Sequence, residues 1–106
     1  MHEVVFSPLA KDDLEGICDY IALNLANPSA ATEIVAKIIG RARYLSEHPF
    51  IGASLDTIIE GDSEGYRFLT CENFTLFYRV EDKHVFIDRI LHGSQDFTTI
   101  LLDGAS

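Results

Sequence analysis

The stretch Gly65–Asp96, GYRFLTCENFTLFYRVEDKHVFIDRILHGSQD, decides the fold of this chain. Tyr66 to Cys71, Phe74 to Val80 and Val85 to Leu91 are short runs rich in β-branched and aromatic residues, which suit a pleated, half-buried surface. Glu72-Asn73 and Glu81 to Lys83 leave so little chain between the runs that consecutive strands must turn back on one another as an antiparallel meander. A two-residue turn at Glu72-Asn73 sets Arg67 opposite Tyr78 and Tyr66 opposite Arg79. A similar turn at Asp82-Lys83 places Arg79 diagonal to Asp88 and Arg89 opposite Leu76. In that register Arg67 and Arg89 share one face of the sheet and Arg79 lies on the other; a slip of one residue would reverse the faces.

Upstream, Glu3 to Phe6 is a short apolar run stopped by Ser7-Pro8, a strand followed by an N-cap and a proline at the first helical position. Leu9, Leu14, Ile17, Cys18, Ile21 and Leu25 then recur at three- and four-residue steps, with Asp12, Asp13 and Glu15 in the early turns, where acidic groups favour the helix dipole. Asn27-Pro28 repeats the start signal, so one helix ends near Leu25 and a second begins near Ser29. The second carries Ala31, Ile34, Val35, Ile38, Ile39, Ala42 and Leu45 on one stripe and stops before Pro49. A link this short makes the pair an antiparallel hairpin. Ser54 to Ile59 reads as a further strand. Ser94 can cap a final short helix over Phe97 and Ile100 to Leu102, or the tail runs extended. The sum is an α+β domain spanning residues 1–106: an N-terminal strand, and a helical hairpin packed on a mostly antiparallel sheet that ends in the meander.

The composition limits what such a domain can do. Seventeen acidic against eight basic side chains give a net charge of −9 over 106 residues, which repels phosphate backbones and opposes non-specific nucleic-acid binding. No apolar run approaches membrane-spanning length and no leader pattern opens the chain, so a soluble, cytoplasmic protein is expected. Cys18 and Cys71 match no metal or redox spacing; buried thiols are the default reading and a disulfide the lesser one. No two histidines have ligand spacing, and neither metal nor cofactor is expected. Glu60 to Gly65 imitates the start of a calcium loop, but its twelfth position is Cys71 where a bidentate glutamate belongs, so it reads as a solvated acidic loop.

The three arginines of the meander each sit in an apolar run, where a cation must be paired, exposed or used. Arg79 is expected to pair with Asp88 or another carboxylate. Arg67 divides evenly between a solvent-facing and a functional role, and Arg89 leans towards structure. His92, at a strand end, suits either a general base or a hydrogen bond that fixes the following loop.

Four segments in this order, VVFSPLAKDDLEGICDYI (4–21), YLSEHPFIG (44–52), YRFLTCENFTLFYRV (66–80) and IDRILHGSQD (87–96), resemble the RelE/ParE superfamily of toxins from type II toxin–antitoxin pairs. The Tyr66-Arg67 step followed by ENFTLFYRV looks more like the ParE branch. The resemblance implies a plasmid-stabilisation toxin held inactive by a cognate antitoxin, whose C-terminal segment wraps the helices and sheet, with a homodimer or a higher toxin–antitoxin assembly in prospect. RelE-type members cut messenger RNA on the ribosome with basic side chains on the sheet, a reaction that needs cations and a proton-transfer group. Here Thr75 stands where such enzymes carry an arginine, the preceding strand has no lysine, the loop His92-Gly93-Ser94-Gln95-Asp96 lacks the arginines that often follow the glycine, and a tyrosine near the C-terminus is missing, with Phe97 the nearest aromatic. What is left of a catalytic set is Arg67, Arg89 and His92. ParE-type members poison DNA gyrase, which needs no catalytic centre; Arg67, His92, Gln95 and Asp96 are then candidates for target contact. An inactive member that acts only through complex formation is the third reading.

Overall fold

The computed structural model describes residues 1–24, 26–54 and 65–92 of the 106. Strand β1 (Glu3–Phe6) leads into helix α1 (Pro8–Asp19), and a π-helical turn (Tyr20–Asn24) precedes helix α2 (Pro28–Tyr44). Strands β2 (Ala53–Ser54), β3 (Tyr66–Cys71), β4 (Phe74–Glu81) and β5 (His84–His92) complete a five-stranded sheet of order β1-β5-β4-β3-β2. β1 runs parallel to β5 and every other pairing is antiparallel. This is the expected α+β architecture.

The helix starts follow their sequence signals. Ser7 is extended and its Oγ accepts the Ala10 N–H at 3.0 Å, with Pro8 entering the first turn where its missing N–H costs nothing. Asn27 Oδ1 does the same for Ala30 N–H at 3.1 Å. The π turn at Tyr20–Asn24 was not foreseen: the periodicity predicts one uninterrupted helix to Leu25. No acidic residue occupies the first turn of α1, so Asp13 has a role other than the expected dipole one.

Both hairpin turns are two residues long. Their first residues, Glu72 and Asp82, adopt left-handed φ values of 56° and 53°. The expected register between β3 and β4 holds, with Arg67 opposite Tyr78 and Tyr66 opposite Arg79. The register between β4 and β5 holds only as far as Tyr78 opposite Ile87; a bulge then sets Arg89 opposite Phe77 rather than Leu76. Asp88 is the extra residue. Because Phe77 and Tyr78 are adjacent in β4, Arg89 and Arg67 fall on opposite faces by register, which corrects the shared face expected above.

One face of the sheet carries the core, where Leu69, Leu76, Tyr78, Val85, Ile87 and Ile90 meet Ala10 of α1 and Ile38 and Ala42 of α2. The alanines let the helices approach closely. The N-terminus is tied to the residues after α2: His2 N–H donates to Ser46 O and Ser46 Oγ donates back to His2 O, at 2.8 and 2.6 Å. Cys18 and Cys71 are free, half-buried thiols, and burial pushes Cys71 up. No described helix is long and apolar enough to cross a membrane. The Ser54–Ile59 strand is observed only at Ser54; its remainder, the Glu60–Glu64 acidic run and the predicted helix after Ser94 lie outside the described residues.

Candidate functional site

The candidate site is built where β1 runs out. β5 continues past Phe6, the last residue of its parallel partner, and its outer edge would otherwise present bare backbone groups. α1 supplies the replacements. Ser7 N–H donates to Ile87 O and Ser7 Oγ to Asp88 O, at 2.9 and 2.8 Å, and Asp13 Oδ2 accepts the Ile90 N–H at 2.9 Å. The same carboxylate takes a two-point contact from Arg89, Nε to Oδ2 at 2.9 Å and Nη2 to Oδ1 at 3.0 Å. The Asp13 hydrogen bond holds Arg89 above its ordinary value and outweighs the opposing effect of burial. A bulge at Asp88 and one helical carboxylate therefore fix the position of Arg89.

Beside this pair lies an open cleft of about 470 Å³ between α1, the π turn and the ends of β4 and β5. Ile17 and Phe74 contribute apolar lining, and Asp13, Tyr20, Arg89 and His92 polar lining. His92 is exposed and packs edge-on to the Phe74 ring at 5.5 Å. Arg89 and His92 are thus brought to one cleft.

Arg67 is not. Its Nη1 donates to Gly52 O at 2.8 Å and Phe50 O at 3.3 Å, and its guanidinium carbon lies 5.1 Å from the Phe50 ring centre. Tyr78 Oη accepts the Gly52 N–H at 2.9 Å in the same clamp. This side chain, for which the sequence leaves a solvent-facing and a functional role open, fastens the segment after α2. Arg79 occupies the other face: its Nε meets Asp88 Oδ2 at 3.2 Å, its Nη1 meets Glu81, and it stacks over Phe86 at 4.6 Å. The expected pairing with Asp88 is present. Burial pulls Arg79 down, but Glu81 and Asp88 together hold it above its ordinary value. Tyr66 is pushed up, first by burial and then by the neighbouring Asp88 carboxylate. Gln95 and Asp96 lie outside the described residues.

The three arginines therefore point to three places, and each already serves carboxylates or backbone carbonyls. Among the described residues no group of three or more His, Cys, Asp or Glu side chains could hold a metal ion. The sequence pattern marks Ser7 as a cap but does not show its bonds to β5 or the roles of Asp13 and Gly52. For Asp13 no pattern distinguishes a carboxylate turned to a strand edge from one turned to solvent.

A family model described as the ParE toxin of type II toxin–antitoxin systems matches residues 4–97. The chain belongs to the ParE toxin family. Among solved structures, a chain of the chromosomal ParDE system from P. aeruginosa is similar to this ParE-family toxin at 28% identity and a TM-score of 0.69, over 87% of this chain and 96% of that one. Two others share the fold: the RelBE2 toxin–antitoxin complex from Mycobacterium tuberculosis, at 22% identity, TM-score 0.64 and coverage of 86% and 96%, and a YoeB/ParE toxin from Agrobacterium tumefaciens, at 19%, 0.58, and coverage of 85% and 96%. No curated protein sequence matches the chain.

Proposed function

We propose that this ParE-family toxin arrests growth by seating on a protein target, DNA gyrase, and that a cognate antitoxin holds it inactive until released. The observation that carries this reading is the commitment of the sheet arginines. Arg67, Arg79 and Arg89 are bound to loop carbonyls, to Asp88 and Glu81, and to Asp13 respectively. In-line attack on an RNA phosphate needs cations aimed at oxygens that gain charge in the transition state. An arginine whose charge is already met by a carboxylate offers little of that, and the net charge of −9 opposes the approach of RNA. Docking on a protein needs neither.

The similarity to a chain of the ParDE toxin–antitoxin system, and the fold shared with the RelBE2 toxin–antitoxin complex, support an antitoxin partner for this chain. The test is expression of the toxin alone, with DNA supercoiling and translation followed in parallel. Gyrase poisoning should appear as lost supercoiling and broken DNA before protein synthesis falls. Cleaved messenger RNA with supercoiling intact, abolished by Arg89→Ala with His92→Ala, would replace this reading with the ribosome-dependent nuclease. Unaffected growth at high soluble expression would leave a member that works only through complex formation.

A further inference from the structure

The outer side of α1 and of the π turn that follows it is unusual for a surface helix in what it leaves uncovered. Leu9 and Tyr20 are each 57% exposed and Leu23 is 77% exposed. Leu9, Gly16 and Tyr20 follow one line along the helix, at steps of seven and four residues. A side chain added at Gly16 would meet nothing within 4 Å, so the line is a smooth floor that runs into the cleft at Ile17 and Phe74. Beside it stand Asp12, Glu15 and Asp19, all exposed, none of which forms an ion pair among the described residues. Asp13, at the cleft wall, is already occupied by Arg89.

Three cations are held elsewhere, Lys37 between Glu33 and Glu72, Arg79 between Asp88 and Glu81, and Arg89 on Asp13, and Lys11, exposed on α1 itself, forms no ion pair with Asp12, Glu15 or Asp19. An apolar track with an unmet acidic border, on a chain of net charge −9, fits only one sign of partner. We infer that the antitoxin segment seated on α1 and its cleft is basic: an amphipathic stretch whose apolar side chains lie over Leu9, Gly16 and Tyr20 and whose lysines or arginines face Asp12, Glu15 and Asp19. This rests on the reading of the chain as a toxin with a protein antitoxin. The long stems of those basic residues cover apolar surface while their charges reach the carboxylates.

Two designed amphipathic peptides with one shared apolar stripe, flanked by lysines in one and by glutamates in the other, test the inference against the full chain by calorimetry in low and high salt. The lysine peptide should bind about tenfold more tightly, as three exposed charge pairs allow, and its advantage should shrink as salt screens them. The triple variant Asp12→Asn, Glu15→Gln, Asp19→Asn should erase that advantage, whereas the equally neutralised Glu33→Gln, Glu47→Gln, Asp82→Asn should keep it. Equal binding of both peptides, or equal losses in the two triple variants, would overturn the inference. The toxin reading is judged separately, by growth arrest on expression alone and its relief by the protein of the neighbouring reading frame. Relief by an antitoxin whose affinity is unchanged in the α1 triple variant would refute the basic segment and leave the toxin reading standing.

Discussion

Gly52 is the residue at which sequence and packing are most tightly bound. A Cβ there would lie 2.5 Å from Tyr78 Oη and 2.6 Å from Phe68 O, closer than real contacts allow. The segment after α2 must therefore present bare backbone, and Tyr78 uses that closeness to accept the Gly52 N–H while Arg67 takes its carbonyl. Gly52→Ala should cost about 1–3 kcal/mol through overpacking. Tyr78→Phe, which keeps the ring but removes the acceptor from a buried N–H, should cost about 1–2 kcal/mol. Urea midpoints check both, and the two losses should be clearly less than additive because one contact is shared. An additive pair would mean that the clamp is not a unit.

At the scale of elements, the join between α1 and β5 carries the site. Ser7→Ala removes both the cap of α1 and the donor to Asp88 O, and should cost about 1–2 kcal/mol. Asp13→Ala should cost more, roughly 2–3 kcal/mol, because it strands a largely buried guanidinium and the Ile90 N–H together, though less than a fully buried pair would. Asp13→Asn restores an acceptor without the charge and should recover part of the loss. Equilibrium unfolding of the three variants tests the ranking, and a harmless Asp13→Ala would refute the role given to this carboxylate.

This join also marks how far the sequence could be read. The β3–β4 register followed from Glu72-Asn73, because a two-residue turn leaves only one pairing. The β4–β5 register followed from Asp82-Lys83 only as far as Ile87, because the bulge at Asp88 has no glycine or proline to announce it. One inserted residue moved Arg89 from Leu76 to Phe77 and undid the predicted sharing of faces. Arg79 with Asp88 was legible because both lie close to the turn. Arg67 with Gly52 was not, since a hydrogen bond to a loop carbonyl leaves no charged partner to find in the sequence.

For the molecule as a whole, the response to alkali follows from its buried acids. Burial raises Cys71, Tyr66 and Tyr78 above their ordinary values of 9.0, 10.0 and 10.0. The folded state then holds protons that the unfolded state has lost, so stability is fully present below pH 9 and declines as pH rises through the folded values. Thermal unfolding between pH 8 and 11 should show this fall, beginning near pH 9. Tyr78→Phe should flatten the part above pH 10 relative to its own value at pH 8. A stability that rose over that window would contradict the burial of these groups.

Asp13 stands both at the wall of the cleft and at the unfinished edge of β5. A ligand that fills this cleft and binds only the folded chain would act as a splint for the join of α1 and β5 as well as a cover. Occupancy at a hundred times the dissociation constant would add about 2.7 kcal/mol to the folded state. If the antitoxin segment inferred above is that ligand, it would brace the fold of the chain it holds.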